Sequence, residues 1–309
     1  MKMKKLCLTA FVVFMSISIP SSVLYARKPS RVEEQLRVAE ANELQLLISM
    51  DGEMLFGRIT KIVADYVHFE TDGDTTIIFI PQIKEVREVT SDNIKNGRYW
   101  FPNPNATRLY LCPTARLLRK GQGYVAAYYI LAPLVAYAVT DNFTIAGGAS
   151  FLTAVNFGGA YLLPKVGVAL GEYVSLSAGA VAAQGFGQEG FNPTLLLGYG
   201  VGTFGRPDVS ISVGAGYGVS RLYTQGPEEK TMFYSTPGFM LGGELRVTRK
   251  IALVTENYFI REWGNYRPVI SYGMRFFGET FSLEGAFIYT KDLIDEFLGF
   301  PFASIVYNF

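Results

Sequence analysis

The stretch VSISVGAGYGVS, residues 209–220, alternates between two kinds of side chain. One set of alternate positions is apolar: Val209, Ile211, Val213, Ala215, Tyr217 and Val219. The positions between them hold only Ser and Gly. Successive side chains of a β-strand point to opposite faces, so this strand has one apolar face and one face of small residues. A soluble sandwich would carry charges on its polar face, whereas small inward and apolar outward residues are typical of a transmembrane β-barrel.

The same alternation recurs through the C-terminal two thirds of the chain. It is found at residues 143–151, 194–204, 234–247, 270–277 and 281–290. In TLLLGYGVGTF, residues 194–204, the pattern predicts outward side chains at Leu195, Leu197, Tyr199 and Val201 and inward positions at Gly198, Gly200 and Gly202.

Short turn signals alternate with longer polar links. The short turns fall at residues 140–142, 171–172, 205–208, 248–250 and 278–280. Outer-membrane barrels join their strands by short periplasmic turns and longer extracellular loops. The chain is therefore expected to be all-β, with a transmembrane antiparallel up-and-down β-barrel of about twelve strands at residues 107–309. An even number of strands leaves both ends of the barrel on the periplasmic side.

The start of the barrel is assigned to TRLYLCPTARLL, residues 107–118. If this segment were a plug or a belt instead of a strand, the strand count would be odd. The next stretch, YVAAYYILAPLVAYAV at 124–139, is apolar on both faces but short for a membrane-spanning helix, and Pro133 lies at its centre. Its many Tyr and Val residues favour a strand.

Six charged residues are expected to point into the lumen by the alternation of their strands. They are Glu244, Arg246, Glu256, Arg267, Arg275 and Glu284, with Glu256 depending on the absence of a bulge in its strand. A charge facing lipid costs about 2–4 kcal/mol at the bilayer midplane, so inward placement is expected whatever the function. Two interpretations follow: an ion-pair cluster that fills the lumen, or a charged constriction that filters polar solutes.

The chain ends in PFASIVYNF, residues 301–309, and its alternation places Ile305, Tyr307 and Phe309 on one face. A C-terminal strand that ends in Phe, with Tyr two residues earlier, resembles the insertion signal of outer-membrane β-barrels. The resemblance implies recognition by the barrel-assembly machinery during insertion and an outer-membrane lipid environment afterwards.

The N-terminus combines a basic start with an apolar run and a small residue at Ala26, which predicts a signal peptide at 1–26. A helix-compatible lead-in follows at 27–42. After cleavage Cys112 is the one remaining cysteine, so no internal disulfide is expected. No Cys and His cluster is present, and neither a metal site nor a cofactor is predicted.

Residues 43–90 read as five short strands with turns at Asp51-Gly52 and Asp72-Gly73, and with Gly57 inside a long, bent second strand. This spacing resembles the small SH3-like or Sm-like barrel. No Arg-Gly pair follows IPQIKEV, so RNA binding is not expected. The linker at 91–106 contains Trp100 and Phe101, which either anchor the chain at the membrane interface or cover the open end of the small domain.

The composition excludes several classes of function. A net charge of +1 with 18% charged residues leaves no basic surface for nucleic acid. The single histidine, His68, lies in the small domain. Outer-membrane phospholipases, proteases and lipid-A-modifying enzymes that form barrels use a histidine borne by the barrel as general base or acid, so no enzymatic activity is expected.

The whole arrangement resembles uncharacterised outer-membrane β-barrel proteins of Gram-negative bacteria that carry a short β-module before the barrel. The segment FPNPNATRLYLCPTARLLRKGQGY, residues 101–124, adds to that resemblance. It implies an outer-membrane location with a periplasmic N-terminal domain. Two functions stay open: a membrane anchor and interaction platform for a periplasmic protein partner, or a small-solute channel capped by the N-terminal domain.

Overall fold

The computed structural model describes two compact units, Met1–Trp100 and Phe101–Phe309. The described residues are 32, 36–40, 42–71, 73–90, 93–95, 98–129, 132–152, 157–186, 192–224, 230–262, 265–290 and 299–309. The predicted signal peptide and most of the predicted lead-in lie outside them. Within the described residues no helix is both long and apolar enough to cross a membrane.

The N-terminal unit contains an antiparallel sheet of five strands in the order β4-β3-β2-β1-β5. The strands are β1 (Leu44–Ser49), β2 (Met54–Val63), β3 (Tyr66–Thr71), β4 (Asp74–Phe79) and β5 (Ile83–Val89), with a 3₁₀ turn at Ile80–Gln82. The sheet buries a compact core of Leu47, Ile59, Val67, Phe69, Ile78, Ile83 and Val86. A Cβ at Gly57 would collide with the carbonyl oxygen of Glu70, which explains the glycine inside the long second strand.

Two short strands, β6 (Ile94–Lys95) and β7 (Arg98–Tyr99), pair with each other after this sheet. Trp100 follows them, and its carbonyl accepts a hydrogen bond from the Asn93 side chain. The Lys95 ammonium lies 4.5 Å from the centre of the Trp100 ring.

The second unit is a closed antiparallel barrel of twelve strands, as the alternation predicts. Its strands are β8 (Gly123–Tyr128), β9 (Ala132–Thr140), β10 (Phe143–Leu152), β11 (Phe157–Ala169), β12 (Val174–Phe186), β13 (Thr194–Arg206), β14 (Val209–Thr224), β15 (Lys230–Thr248), β16 (Ile251–Glu262), β17 (Asn265–Phe277), β18 (Phe281–Thr290) and β19 (Phe300–Asn308). All five predicted short turns join consecutive strands at one end, which we call the turn end. The opposite end is called the loop end.

The last residue closes the barrel. The strand β19 pairs with β8, and Phe309 and Gly123 exchange two backbone hydrogen bonds of 2.9 and 2.8 Å. Ile305, Tyr307 and Phe309 face outward, while Val306 is completely buried inside. Their role as an assembly signal stays a prediction.

The predicted first strand is wrong. Residues 107–118 form no barrel strand, and the apolar run 124–139 supplies two strands, β8 and β9. The predicted number of twelve strands is still correct, because the extra strand within 124–139 replaces the one expected at 107–118. The break between β8 and β9 begins at Tyr129, which has a positive φ of 50° that non-glycine residues seldom adopt.

The predicted orientation of β13 is also wrong. Val201 and Thr203 are buried in the lumen, while Leu196 is 59% exposed on the outer face. The glycines Gly198 and Gly200 therefore lie on the outside. The physical reason is Thr203, whose hydroxyl is hydrogen-bonded to that of Ser212 inside the barrel. The three residues Leu195–Leu197 are all apolar. The sequence of this run therefore does not show which of its side chains face outward.

Candidate functional site: a plug in the barrel lumen

Residues 101–119 run inside the barrel, and we call this segment the plug. It enters at the turn end, where the Asn103 amide donates to the Pro207 carbonyl at 2.9 Å. It returns to the same end, where the Lys120 backbone N–H donates to the Asp141 carboxylate at 2.8 Å. Between these points the chain doubles back at Leu109–Cys112, and the Leu109 N–H donates to the Cys112 carbonyl at 2.9 Å.

A buried ion-pair network fastens the plug to the barrel wall. The Arg108 guanidinium, on the plug, makes two hydrogen bonds of 2.7 and 3.0 Å with the two oxygens of Glu284 on β18. Arg275, on β17, donates to Glu284 at 2.6 Å and to Glu244 on β15 at 2.7 Å. The side chains of these four residues are at most 2% exposed. Because buried charges are tolerated only when they are paired and hydrogen-bonded, each depends on the others.

The same network also binds the plug backbone and its amides. Arg275 donates to the Leu109 carbonyl at 2.6 Å. The Asn103 side chain donates to Glu244 at 2.7 Å, and that of Asn105 donates to Ser282. The asparagines of the predicted linker therefore act as fixed contacts with the barrel.

Arg246 holds the point where the chain enters the barrel. It donates to the Phe101 carbonyl at 2.8 Å and to the Asp208 carboxylate at 2.9 Å. Its guanidinium lies 4.8 Å from the ring centres of both Phe101 and Phe277, a cation–π arrangement on each side. Both sequence-based interpretations of Phe101 are therefore wrong, because this ring packs inside the barrel.

Glu256 holds the tip of the plug. One of its carboxylate oxygens accepts hydrogen bonds from three consecutive backbone N–H groups. The N···O distances are 2.8 Å for Tyr110, 3.0 Å for Leu111 and 3.1 Å for Cys112. The other oxygen accepts the hydroxyl of Tyr258. Successive backbone N–H groups form a concave site for a negative charge, so the carboxylate is bound without a cationic side chain.

Lys165, on β11, binds the plug from another part of the wall. Its ammonium donates to the carbonyls of Thr107, Thr114 and Arg116, at 3.4, 3.2 and 2.7 Å. Lys165 thus complements Glu256: one binds plug carbonyls and the other binds plug N–H groups. Sequence reasoning missed Lys165, although it is the only charged residue of β11.

Five of the six predicted lumen charges therefore meet around the plug: Glu244, Arg246, Glu256, Arg275 and Glu284. Arg267 does not join them. It is exposed near the loop end, eight residues before Arg275 on β17, which corresponds to roughly 26 Å along a strand. Besides Lys165, the prediction missed Arg108 and Asp208, because neither belongs to an alternating strand.

The plug occupies only part of the lumen. Glu256, which binds its tip, is the sixth residue of the 12-residue strand β16, counted from the turn end. Leu111, at the tip, is 49% exposed although it lies inside the barrel. Within the described residues, the plug therefore reaches from the turn end to about the middle of the barrel, where the side chain at its tip is half exposed.

No protein-family model and no curated protein matches this chain. Among solved structures, the KdgM porin in complex with disordered oligogalacturonate is similar at 8% identity and a TM-score of 0.40, over 60% of this chain and 95% of that chain. The NanC porin is similar at 7% identity and a TM-score of 0.41, over 60% and 97%. The translocator domain of the autotransporter NalP from Neisseria meningitidis is similar at 12% identity and a TM-score of 0.39, over 60% and 85%. Sequence identities and TM-scores this low say nothing about what this chain binds or does.

Proposed function

We propose that the protein is an outer-membrane β-barrel without enzymatic activity, closed by its own plug, that anchors its N-terminal sheet at the periplasmic face. The membrane location is supported by the outer surface of the barrel, which is apolar around its circumference. Ile211, Leu253 and Leu283 on three different strands illustrate it, each with about half of its side chain or more exposed. Such a continuous apolar surface is unstable in water and matches lipid.

The observation that supports a closed barrel is that the charged residues of the lumen bind the plug. Glu244, Glu256, Glu284, Arg246 and Arg275 all bind the plug or a partner that binds it. A selectivity filter needs charged groups that face a water-filled path. Here those groups are buried, so they favour the interpretation of an ion-pair cluster over that of a constriction.

A gated channel is the second candidate function. It is favoured by the exposure of Leu111 at the plug tip, since the plug then closes only the turn-end half of the lumen and its movement would open that half. The plug is continuous with residue 100, so a partner of the N-terminal sheet could act on it through the chain. A periplasmic protein partner and the assembly machinery belong to this proposal as partners.

Single-channel conductance in a planar bilayer separates the two functions. Three folded proteins are compared: the full-length chain, a variant lacking residues 27–95, and a variant with residues 102–118 replaced by a Gly-Ser linker of equal length. A heat-modifiable band on gels confirms that each barrel is folded. The anchor predicts silence from the first two proteins and discrete openings only when the plug is replaced.

Openings of the full-length chain that increase when residues 27–95 are removed would establish the channel and make the N-terminal unit its cap. Openings of the full-length chain with unchanged conductance after plug replacement would contradict the assignment of residues 101–119 as the closing element.

A further inference from the structure

An apolar groove lies on the outer face of β13, β14 and β15. It has a volume of about 420 Å³. Its floor and walls include Gly198, Gly200, Ala215, Tyr217, Pro237 and Phe239. The groove exists because β13 turns its glycines outward, while the neighbouring strands present two aromatic rings at the same level. Tyr217 is the register partner of both Gly198 and Pro237.

Two arginines border this groove, Arg221 on its loop-end side and Arg261 beside it. Arg221 lies four residues beyond Tyr217 on β14, roughly 13 Å along the strand, on the same outward set of positions. Arg261 lies on β16 next to the pairing of Gly238 with Ile260, and therefore beside Pro237. Both arginines are exposed, and neither forms a salt bridge with a carboxylate in the described part of the chain.

An aromatic ring completes the border. Tyr266, the register partner of Arg261 on β17, lies 6.2 Å from the ring of Phe239. Aromatic rings with cationic side chains above an apolar surface are typical of the level at which lipid head groups meet acyl chains. With the short turns in the periplasm, this level belongs to the outer leaflet.

We infer that the groove binds a bisphosphorylated glycolipid of lipid A type, with one acyl chain against Gly198 and Gly200 and its phosphates on Arg221 and Arg261. Two guanidinium groups on separate strands fit two separated phosphates, and arginine binds phosphate oxygens with paired hydrogen bonds. The apolar lining alone would accept any acyl chain, so the arginines determine the choice of lipid. The inference rests on the proposed outer-membrane location.

The test is native mass spectrometry of the folded full-length protein in detergent, titrated with diphosphoryl lipid A. One tightly bound lipid per barrel is expected. A basic residue near an anionic head group contributes about fivefold in affinity, so Arg221→Gln and Arg261→Gln should each weaken binding about fivefold and the double variant about 25-fold. Gly198→Leu fills the groove and should weaken binding at least tenfold.

Matched controls exist on the same barrel. An added Cβ meets nothing within 4 Å at either Gly198 or Gly285, so both leucine variants should fold, and Gly285→Leu on β18 should bind lipid A like the unmodified protein. Lys250→Gln, at the turn end, is the control for charge. Equal binding by all variants, or equal competition by phosphatidylglycerol, would overturn the inference.

The first measurement is insertion into phosphatidylcholine vesicles. The heat-modifiable band on gels detects the inserted, folded barrel. Failure to insert would contradict the proposed membrane location. Successful insertion without selective binding of lipid A would overturn only the inference that the groove binds this lipid.

Discussion

At the scale of single residues, Glu284 joins the plug to the ion pairs of the barrel wall. It accepts hydrogen bonds from Arg108, Arg275 and Ser304, all in the barrel interior. Glu284→Gln keeps the shape of the side chain but leaves two buried guanidinium groups with less negative charge. Removing one partner of a buried ion pair costs about 3–5 kcal/mol, so we expect a loss of that size in the free energy of unfolding. Urea titration of the folded barrel, followed by tryptophan fluorescence and band shift, measures it.

The control is an ion pair on the surface of the same barrel. Arg206 and Glu172 approach to 3.9 Å with most of both side chains exposed. Glu172→Gln should change the free energy of unfolding by less than about 1 kcal/mol. If both variants lost the same amount, the buried network would not be what stabilises the closed barrel.

Gly242 shows how a single small residue makes room for the plug. It faces the lumen on β15, and an added Cβ would collide with the side chain of Leu109 and lie 2.8 Å from the Thr255 carbonyl oxygen. Gly242→Ala should therefore cost about 1–3 kcal/mol through overpacking. Leu109→Ala in the same chain should recover part of that loss, because it removes one of the two collisions. A double-mutant cycle of unfolding free energies measures the coupling, and strictly additive losses would mean that the two residues do not meet.

At the scale of elements, the sequence predicts the twelve-stranded barrel well and the plug poorly, and the reason is physical. An alternating strand such as β14 carries its orientation in its own residues. Residues 107–118 also alternate in part, but the conformation of the plug is determined by Glu244, Glu256 and Glu284 on three distant strands. All three acids are buried in the barrel interior. What they bind there depends on contacts more than 140 residues apart, which no local pattern contains.

Cys112 provides a readout of the plug as an element. It lies at the plug tip, and its backbone N–H is one of the three bound by Glu256. Glu256→Gln weakens this site, because a neutral amide attracts the three N–H groups less than a carboxylate does. In a Cys7→Ser background, we expect a maleimide reagent to label Cys112 at least tenfold faster in the Glu256→Gln variant. Glu172→Gln is the matched control, and equal labelling rates in all variants would show that Glu256 does not hold the tip.

At the scale of the whole molecule, the chain combines two units whose stabilities have different sources. The barrel is stabilised by closed strand pairing and by its plug, while the N-terminal unit depends on the small apolar core of its sheet. Phe69 is completely buried in that core, and the core residues lie on the five strands of this one sheet. The SH3-like or Sm-like resemblance stays an interpretation of this sheet, and it predicts a unit that folds without the barrel.

A fragment of residues 27–100 should therefore unfold cooperatively when heated, as followed by circular dichroism. Phe69→Ala removes the largest apolar side chain of the core and should cost about 3–5 kcal/mol, which is a large part of the stability expected for so small a unit. In the full-length protein the same substitution should leave the heat-modifiable band of the barrel unchanged, because the barrel contains none of the core residues. Loss of the band together with the N-terminal fold would show that the two units depend on each other for stability. An unchanged band would mean that the N-terminal unit can be altered or removed while the closed barrel persists, which is the condition for an anchor that carries a separate module.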